Sequence, residues 1–517
     1  MKRHFFYILL SFSISYCPYI SSESSSISPQ KLHTLYNALD PTSVTQHLAL
    51  YELYPDTKEG KLALADAWKL LTGRNDNLTP ISVPLINAPI NALIALINRK
   101  PNDVPPKLSE NDLAVIDKIA YGLANRKLKG YYATSEQEVL ALESKDIDLA
   151  RGLFLSQFGT SKDAWQQLKT YEAYIDLMAL QIRARIPKNA SSEQIIAAIN
   201  HYVFYEMGFR FPPHSLLAKG IDPYTFLPSV LDSHQGVCLG VSILYLSIAQ
   251  RLQLPLEIIT PPGHIYIRYN SGSKIINIET TARGIHIDCE EYLSVDTMQL
   301  QQRQIKEVIG MAHFNQAAAF LTQKHPEQSV SCYEKALMYH PDDMLTKELM
   351  GYCCILAGQE KRGRRLLQEI ANYAPYYAVS GDSTAEDYLS GNADKDALEA
   401  TLMHVDETRE SILTKQKALQ ISLEQFPRFR AGLFALAATW LQLHRFGEAL
   451  EILAKYEQME PNDPTAEYYL AALYAERYNF PKAWIHLRRA EVITANRGHY
   501  PKTLKKLRQQ LQSQSPD

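Results

Sequence analysis

Three residues in the middle of the chain combine types and spacing that could do covalent chemistry. Cys238 follows Gln235, Gly236 and Val237 and begins an almost wholly apolar run to Leu252. His264 follows Pro261, Pro262 and Gly263, and Glu279 stands fifteen residues beyond it. A thiol at a helix N-terminus meets unpaired N–H groups and a partial positive charge, both of which favour thiolate. The same N–H groups can bind a developing oxyanion, and Gly236 would let backbone and substrate approach closely. An imidazole within reach takes the thiol proton and later returns it to a leaving group. A carboxylate behind that imidazole holds its tautomer and stabilises its cation.

Taken one at a time, these residues have plainer readings. A free cysteine is among the most buried residue types. A histidine at a strand start is more often a surface or satisfied residue, and the chain has 15 of them. A glutamate near a turn is usually solvated. Only the joint arrangement points to chemistry.

The elements around them are of two kinds. Helical spacing runs from Ala173 to Arg185 and from Glu193 to Met207, followed by a loop rich in Pro and Gly from Gly208 to Pro228. The Cys238–Leu252 stretch is predicted to be a buried helix. Ile265, Ile267 and Tyr269 then alternate with Tyr266 and Arg268, Ser271–Gly272–Ser273 supplies a turn, and Ile275 to Thr280 forms a second strand. Helix first and antiparallel hairpin second make an α+β domain. Such a hairpin, headed by His264, would set His264 and Glu279 side by side.

Residues Gly236 to Tyr245, Pro262 to Tyr269 and Asn277 to Thr280 together resemble a bacterial transglutaminase-like core of the papain-like cysteine superfamily, over roughly residues 165 to 295. The resemblance implies Cys238 as nucleophile, His264 as general base and acid, and Glu279 as the residue that orients the imidazole. It makes Gln235 the candidate side-chain donor to an oxyanion. Many relatives carry Asp where this chain has Glu279, which adds one methylene to the orienting arm; many in this subgroup lack the nucleophilic Cys. The function implied is cysteine-dependent acyl transfer on a peptide or protein through a thioester, ending in hydrolysis or in transglutaminase-type cross-linking. The alternative is a catalytically inactive transglutaminase-like scaffold that binds partner proteins through the repeats described next. No cofactor motif appears, and this chemistry needs no metal.

After about residue 306 the chain is helical and repetitive. Pro341 and Pro375 stand 34 residues apart, as do Pro427 and Pro461. A helix–turn–helix period of 34 is the tetratricopeptide signature. Leu433, Leu436, Ala437, Trp440, Ala449 and Leu453 recur in phase with Leu470, Ala471, Tyr474, Ala483, Leu487 and Ala490. The longer interval from Pro375 to Pro427 holds an excess of 18 residues, placed here in Tyr376 to Asp394. No such unit buries its apolar face alone, so a stack is required, and its groove is expected to bind a peptide or protein.

The predicted organisation is mainly α: a probable signal peptide at 1–22, a helical N-terminal region at 23–164, the transglutaminase-like core with its small antiparallel sheet at 165–305, and an α-solenoid at 306–517. The leader is Met1 to His4, basic, then apolar Phe5 to Ile14, then a Ser-rich stretch. It implies a secreted or periplasmic protein, the alternative being a buried N-terminal helix of a cytoplasmic one. Cys17 suggests lipid attachment, but the bulky Tyr16 before it argues against that. No other run approaches the ~18 apolar residues of a membrane span.

Composition narrows the classes further. Of 517 residues, 53 are Lys or Arg and 56 Asp or Glu, a net charge of −3 that argues against a surface devoted to nucleic acid. Hydrophobic residues at 46% and charged residues at 21% exclude disorder as the state of the whole chain. Six scattered cysteines exclude a disulfide scaffold, and with no C-x-x-C pair a thiolate zinc site of the usual spacing is not expected. Cys289 with His286 reads as structural, Cys353–Cys354 as buried in a repeat helix, and Arg488, Arg489, Lys502, Lys505, Lys506 and Arg508 as a solvated basic face.

Overall fold

The computed structural model describes residues 27–73, 90–159, 161–212, 224–371, 373, 375–406 and 408–515. The expected leader with Cys17, and much of the Pro- and Gly-rich loop, lie outside these residues. Residues up to Lys69 form one compact unit. In it the helices Pro29–Asn37 and Val44–Leu53, capped by Ser28 and Ser43, gather Leu32, Leu50 and Ala63 into a small core.

The second unit runs from Leu70 to the C-terminus and carries everything chemically distinctive. Two helices organise its centre. The long helix Lys162–Arg185 starts on a Ser161 cap and buries a continuous face that includes Tyr171, Tyr174, Leu177 and Met178. The central helix Cys238–Arg251 is buried on every side from Leu239 to Ala249, as an apolar helix without a polar stripe must be. Gly240 lets it come this close: a Cβ there would sit 2.2 Å from the Tyr224 carbonyl oxygen. A Cβ at Gly236 would likewise meet the Val241 side chain at 2.7 Å. That glycine therefore serves the packing of its own helix, a use its expected role of admitting substrate did not include.

Charge fixes the other end of the central helix. Arg251 donates from Nε to Asp176 Oδ1 at 2.6 Å, and Arg126 Nη1 reaches the same oxygen at 2.8 Å. Burial pushes the Asp176 carboxyl up, but Arg251 and Arg126 outweigh it and hold the group below the usual carboxylate range. A second buried pair, Arg151 with Glu172, ties the helix Leu149–Phe158 to the long helix.

The sheet is larger than the expected hairpin. Its four strands are β1 (Glu257–Thr260), β2 (Tyr266–Asn270), β3 (Ile275–Ile278) and β4 (Gln301–Arg303), in the order β3-β2-β1-β4 with every pairing antiparallel. β2 and β3 are the strands that alternation predicted, in the register Ile267↔Ile278. β1 is four residues long, and β4 is a polar edge strand with no apolar face, so neither leaves a period in the sequence.

From Ile305 onward the chain is a succession of antiparallel helix pairs, an α-solenoid of tetratricopeptide-like units. Ile305–Thr322 pairs with Pro326–Tyr339, Met344–Leu356 with Glu360–Ile370, Arg430–Gln442 with Phe446–Met459, and Pro464–Glu476 with Phe480–Asn496. Small residues face large ones across each contact: Ala437, Ala449, Leu453 and Leu470 share one cluster, and Ala317, Tyr333, Cys353 and Cys354 another. The stretch holding the 18-residue excess folds into the short helix Thr384–Leu389 and a segment of turn and bend, 376–380. That segment bridges through Ala378 to Thr297, beyond the sheet.

The C-terminal basic run is exposed at Arg488, Arg489, Lys505 and Lys506, as expected of a solvated face, and it also carries ion pairs. Arg508 pairs with Glu491, Arg489 with Glu457, and Lys502 with Glu290 at 2.8 Å. The last of these is a contact between the final helix Lys502–Gln514 and the segment between β3 and β4.

Candidate active site

Each of the three residues is delivered by a different element, and each element has a local reason to end where it does. Cys238 is the first residue of the central helix. The chain approaches it through His234, which adopts the left-handed region (φ 52°) and closes the helix Leu227–Ser233. His234 is buried between the Phe209 ring, 4.4 Å away, and the Met207 carbonyl oxygen, 2.8 Å from Nδ1. Burial lowers its pKa, so at neutral pH it is an uncharged strut. The N–H groups of Gly236 and Val237 are also taken, by the carbonyls of Arg210 and Tyr224, each at 3.0 Å. The backbone leading to the sulfur is thus pinned on three sides. No side chain caps the central helix at this end, which leaves its first-turn N–H groups facing the thiol's surroundings.

His264 lies in the turn between β1 and β2, two residues before the strand it was expected to open. The turn is made by Gly263 in the left-handed region (φ 69°) and by the His264 N–H bonding the Pro261 carbonyl at 3.1 Å. Glu279 sits one residue past β3 and begins the short 3-10 turn Thr280–Ala282. Thr280 binds this exit back to the central helix: its hydroxyl meets that of Ser242 at 2.9 Å.

These placements bring all three side chains together. His264 Nε2 and Glu279 Oε2 are 2.7 Å apart, and Cys238 is near enough to the same imidazole to favour its charged form. With Nε2 engaged by the carboxylate, Nδ1 is the nitrogen left for sulfur. Glu279 is 4% exposed, yet it is fully satisfied. Oε1 accepts from the Thr281 N–H at 3.1 Å and hydroxyl at 2.6 Å, while Oε2 accepts from His264 and from the Tyr292 hydroxyl at 2.6 Å. A carboxylate with that many donors is held ionised: burial works against it, but His264, Thr281 and Tyr292 bring it down to about 2. Burial also works against charge on His264, and Cys238 and Glu279 overcome it, pushing the imidazole up to about 10. The site therefore favours a protonated imidazole between sulfur and carboxylate.

The structure sorts the lesser candidates. Gln235 precedes the helix in a bridge with Arg210, and its amide oxygen is buried without a partner. His286 accepts the Asn277 N–H at 3.0 Å beside β3, and its neighbour Cys289 is exposed. Cys353 and Cys354 are fully buried in their repeat helix. Tyr292, Thr281 and His234 are the residues that sequence reasoning missed. Thr281 stands two positions from Glu279 and could have been found as a hydroxyl able to cap a carboxylate; Tyr292 and His234 leave no local signal. Among the described residues no group of three or more His, Cys, Asp or Glu side chains could hold a metal ion.

A sequence model of the transglutaminase-like superfamily matches residues 169–324. Residues 169–324 form a transglutaminase-like domain. The match begins within the long helix and ends just past the first helix of the solenoid, so the transglutaminase-like domain and the repeats share Ile305–Thr322. The chain is 26% identical over 125 residues to F-box only protein 21 of Mus musculus, covering 23% of this chain and 17% of that protein. It is 22% identical over 201 residues to a UPF0162 protein of Xylella fastidiosa, covering 38% of this chain and 63% of the relative. It spans less than two thirds of either one. Among solved structures, a MamA chain at 16% identity aligns with 36% of this chain and 97% of its own, with a TM-score of 0.19. A thermophilic TPR protein of Thermus thermophilus, at 14% identity, aligns with 40% of this chain and 97% of its own, with a TM-score of 0.20.

Proposed function

We propose that this protein is a cysteine-dependent acyl-transfer enzyme acting on amide bonds of a peptide or protein. The observation that carries the reading is the imidazole of His264 held between the Cys238 thiol and a fully hydrogen-bonded Glu279. Sulfur, with its proton on His264, attacks the amide carbonyl carbon and forms the C–S bond; the oxyanion is met by the uncapped N–H groups at the start of the central helix. His264 returns the proton to the leaving nitrogen as the C–N bond breaks, and a thioester remains. Water or an amine then attacks the thioester, giving its proton to His264 as the C–S bond breaks, and the starting pair is restored. With water the outcome is hydrolysis; with an amine it is cross-linking. Glu279 keeps the imidazole oriented and offsets its charge throughout.

The repeats supply a surface for the partner or substrate chain. Their inner side encloses a cavity of about 420 Å³ lined by Leu321, Tyr333, Leu402, Thr439 and Lys415 among others. The Lys415 ammonium is desolvated there and donates to the carbonyls of Thr401 and Met403, both at 2.8 Å. This cavity also supports the alternative reading, a scaffold that binds partner proteins without turnover.

Thiol reactivity separates the two. Iodoacetamide at neutral pH is expected to alkylate Cys238 well ahead of the exposed Cys289, and His264→Ala is expected to slow Cys238 alone. An acyl-type electrophile should label the wild type and not Cys238→Ala. Equal, slow labelling of Cys238 and Cys289 would leave the scaffold.

A further inference from the structure

Two independent sets of contacts converge on the ten residues after the sheet turn, 290–299. On one side is the site. The four-residue 3-10 turn Cys289–Tyr292 ends with a hydroxyl bonded to Glu279 Oε2, the same oxygen that faces His264. The Tyr292 ring also lies nearly parallel to that of His264, with centroids 5.7 Å apart and an interplanar angle of 20°, and to that of Tyr266 at 4.7 Å and 18°. Tyr292 thus touches two members of the triad, one through its hydroxyl and one through its face.

On the other side is the end of the solenoid. Val295, 4% exposed, is a member of the apolar cluster formed by the last helices, with Trp484, Leu487, Leu504 and Leu511. The buried His499 ring holds the Ser294 carbonyl at 2.9 Å, and Lys502 spans Glu290 and Glu291. The turn-and-bend segment 376–380 closes the third side. The Val379 N–H bonds the Asp296 carbonyl at 2.8 Å, and Arg497 from the last repeat reaches the carbonyls of Ala378 and Val379, both at 3.3 Å. Residues far apart in the chain therefore grip one short stretch that contains Tyr292. Only Leu293 and Ser294 separate Tyr292 from the anchor at Val295, which leaves little slack between them.

We propose that Tyr292 is a positioning residue of the Cys238–His264–Glu279 site, and that the docked C-terminal end of the repeat array holds it in register. This rests on Cys238 being the nucleophile, as argued above. In consequence the repeats do more than offer a groove. Anything that loosens their last helices from residues 290–299 releases Tyr292, and Glu279 and His264 lose one side of their support.

The test uses the full chain and reads Cys238 alkylation by iodoacetamide, site by site, beside the thermal midpoint of each variant. Tyr292→Phe keeps the ring and removes the hydroxyl; it should slow Cys238 about tenfold, the scale of one hydrogen bond to a charged group, with its midpoint little changed. Val295→Ala, which touches no member of the triad, should slow Cys238 by roughly threefold or more, the scale of coupling between linked sites. Val295→Ile should retain the wild-type rate. A Val295→Ala protein with a lowered midpoint and an unchanged Cys238 rate would show the docking to be structural only and would overturn the proposal. So would an unchanged rate in Tyr292→Phe. A wild-type Cys238 that reacts no faster than Cys289 would instead remove the nucleophile itself, which is a separate failure with a separate signature.

Discussion

The transglutaminase-like core and the repeat array solve the same problem, burying helices against one another, with different materials. In the core the decisive contacts are between charges. Arg126, Asp176 and Arg251 meet beneath the central helix from three distant parts of the chain, and Glu279 gathers four hydrogen bonds in near-complete burial. In the array they are mostly apolar and between neighbours, as where Ala449 and Leu453 of one unit pack on Leu470 of the next. The array has some ion pairs as well, such as Asp387 with Arg430. A buried charge is costly without its partner and so demands one geometry, whereas an apolar interface tolerates adjustment. Rigidity is concentrated where a thiol, an imidazole and a carboxylate must meet.

That contrast can be tested by removing one member of each kind of contact. Asp176→Ala strands two buried guanidinium groups and should cost the core about 3–5 kcal/mol in a urea titration, the usual penalty for breaking a buried pair. Leu453→Ala in the array should cost about 2–5 kcal/mol by cavity formation, and its hydrogen-exchange signature should stay with the neighbouring repeat helices. Faster exchange reaching the central helix in Leu453→Ala would erase the distinction between the two regions. Next in size, Glu279→Gln keeps the shape of the orienting arm but not its charge, so acyl transfer should fall by about 10²-fold or more, and the stability contributed by its pairing with His264 should be lost as well. A variant that retained full activity would mean that the carboxylate is structural.

The smallest effect is on pH dependence. His264 is raised in the folded protein from 6.5 to about 10, so the stability that its pairing contributes is complete below pH 6.5 and fades as pH climbs through 10. Glu279 is lowered from 4.5 to about 2, so its contribution is complete above pH 4.5 and fades as pH falls through 2. Urea midpoints of the wild type and His264→Gln should therefore differ most between about pH 4.5 and 6.5 and converge by about pH 10. Curves that stay parallel to that pH would show that the imidazole is not held as a cation.

Much of this was legible beforehand, and the reason is periodicity. The array announces itself through a repeated spacing of prolines and small residues, because every unit solves the same local packing problem. The apolar run after Cys238 and the alternation after His264 likewise report a buried helix and a half-buried strand. β1 and β4 were not legible, being too short or too polar to show a period. Nor was the pairing of the basic C-terminal run: a lysine looks the same in sequence whether it faces water or, like Lys502, a pair of glutamates two hundred residues earlier.

The amino-acid sequence by itself determined which groups could react and on what elements they ride, since residue type and local pattern are properties of neighbours in the chain. It determined a helix that begins at a thiol, a strand preceded by an imidazole, and a stack of helix pairs behind them. Only the tertiary structure decided that Glu279 would be gripped by Tyr292, that His234 would brace the loop before Cys238, and that the last helices would come round to residues 290–299. Those contacts join residues whose separation along the chain carries no information. They exist because burying a charge or an apolar face selects whatever partner the fold brings within reach.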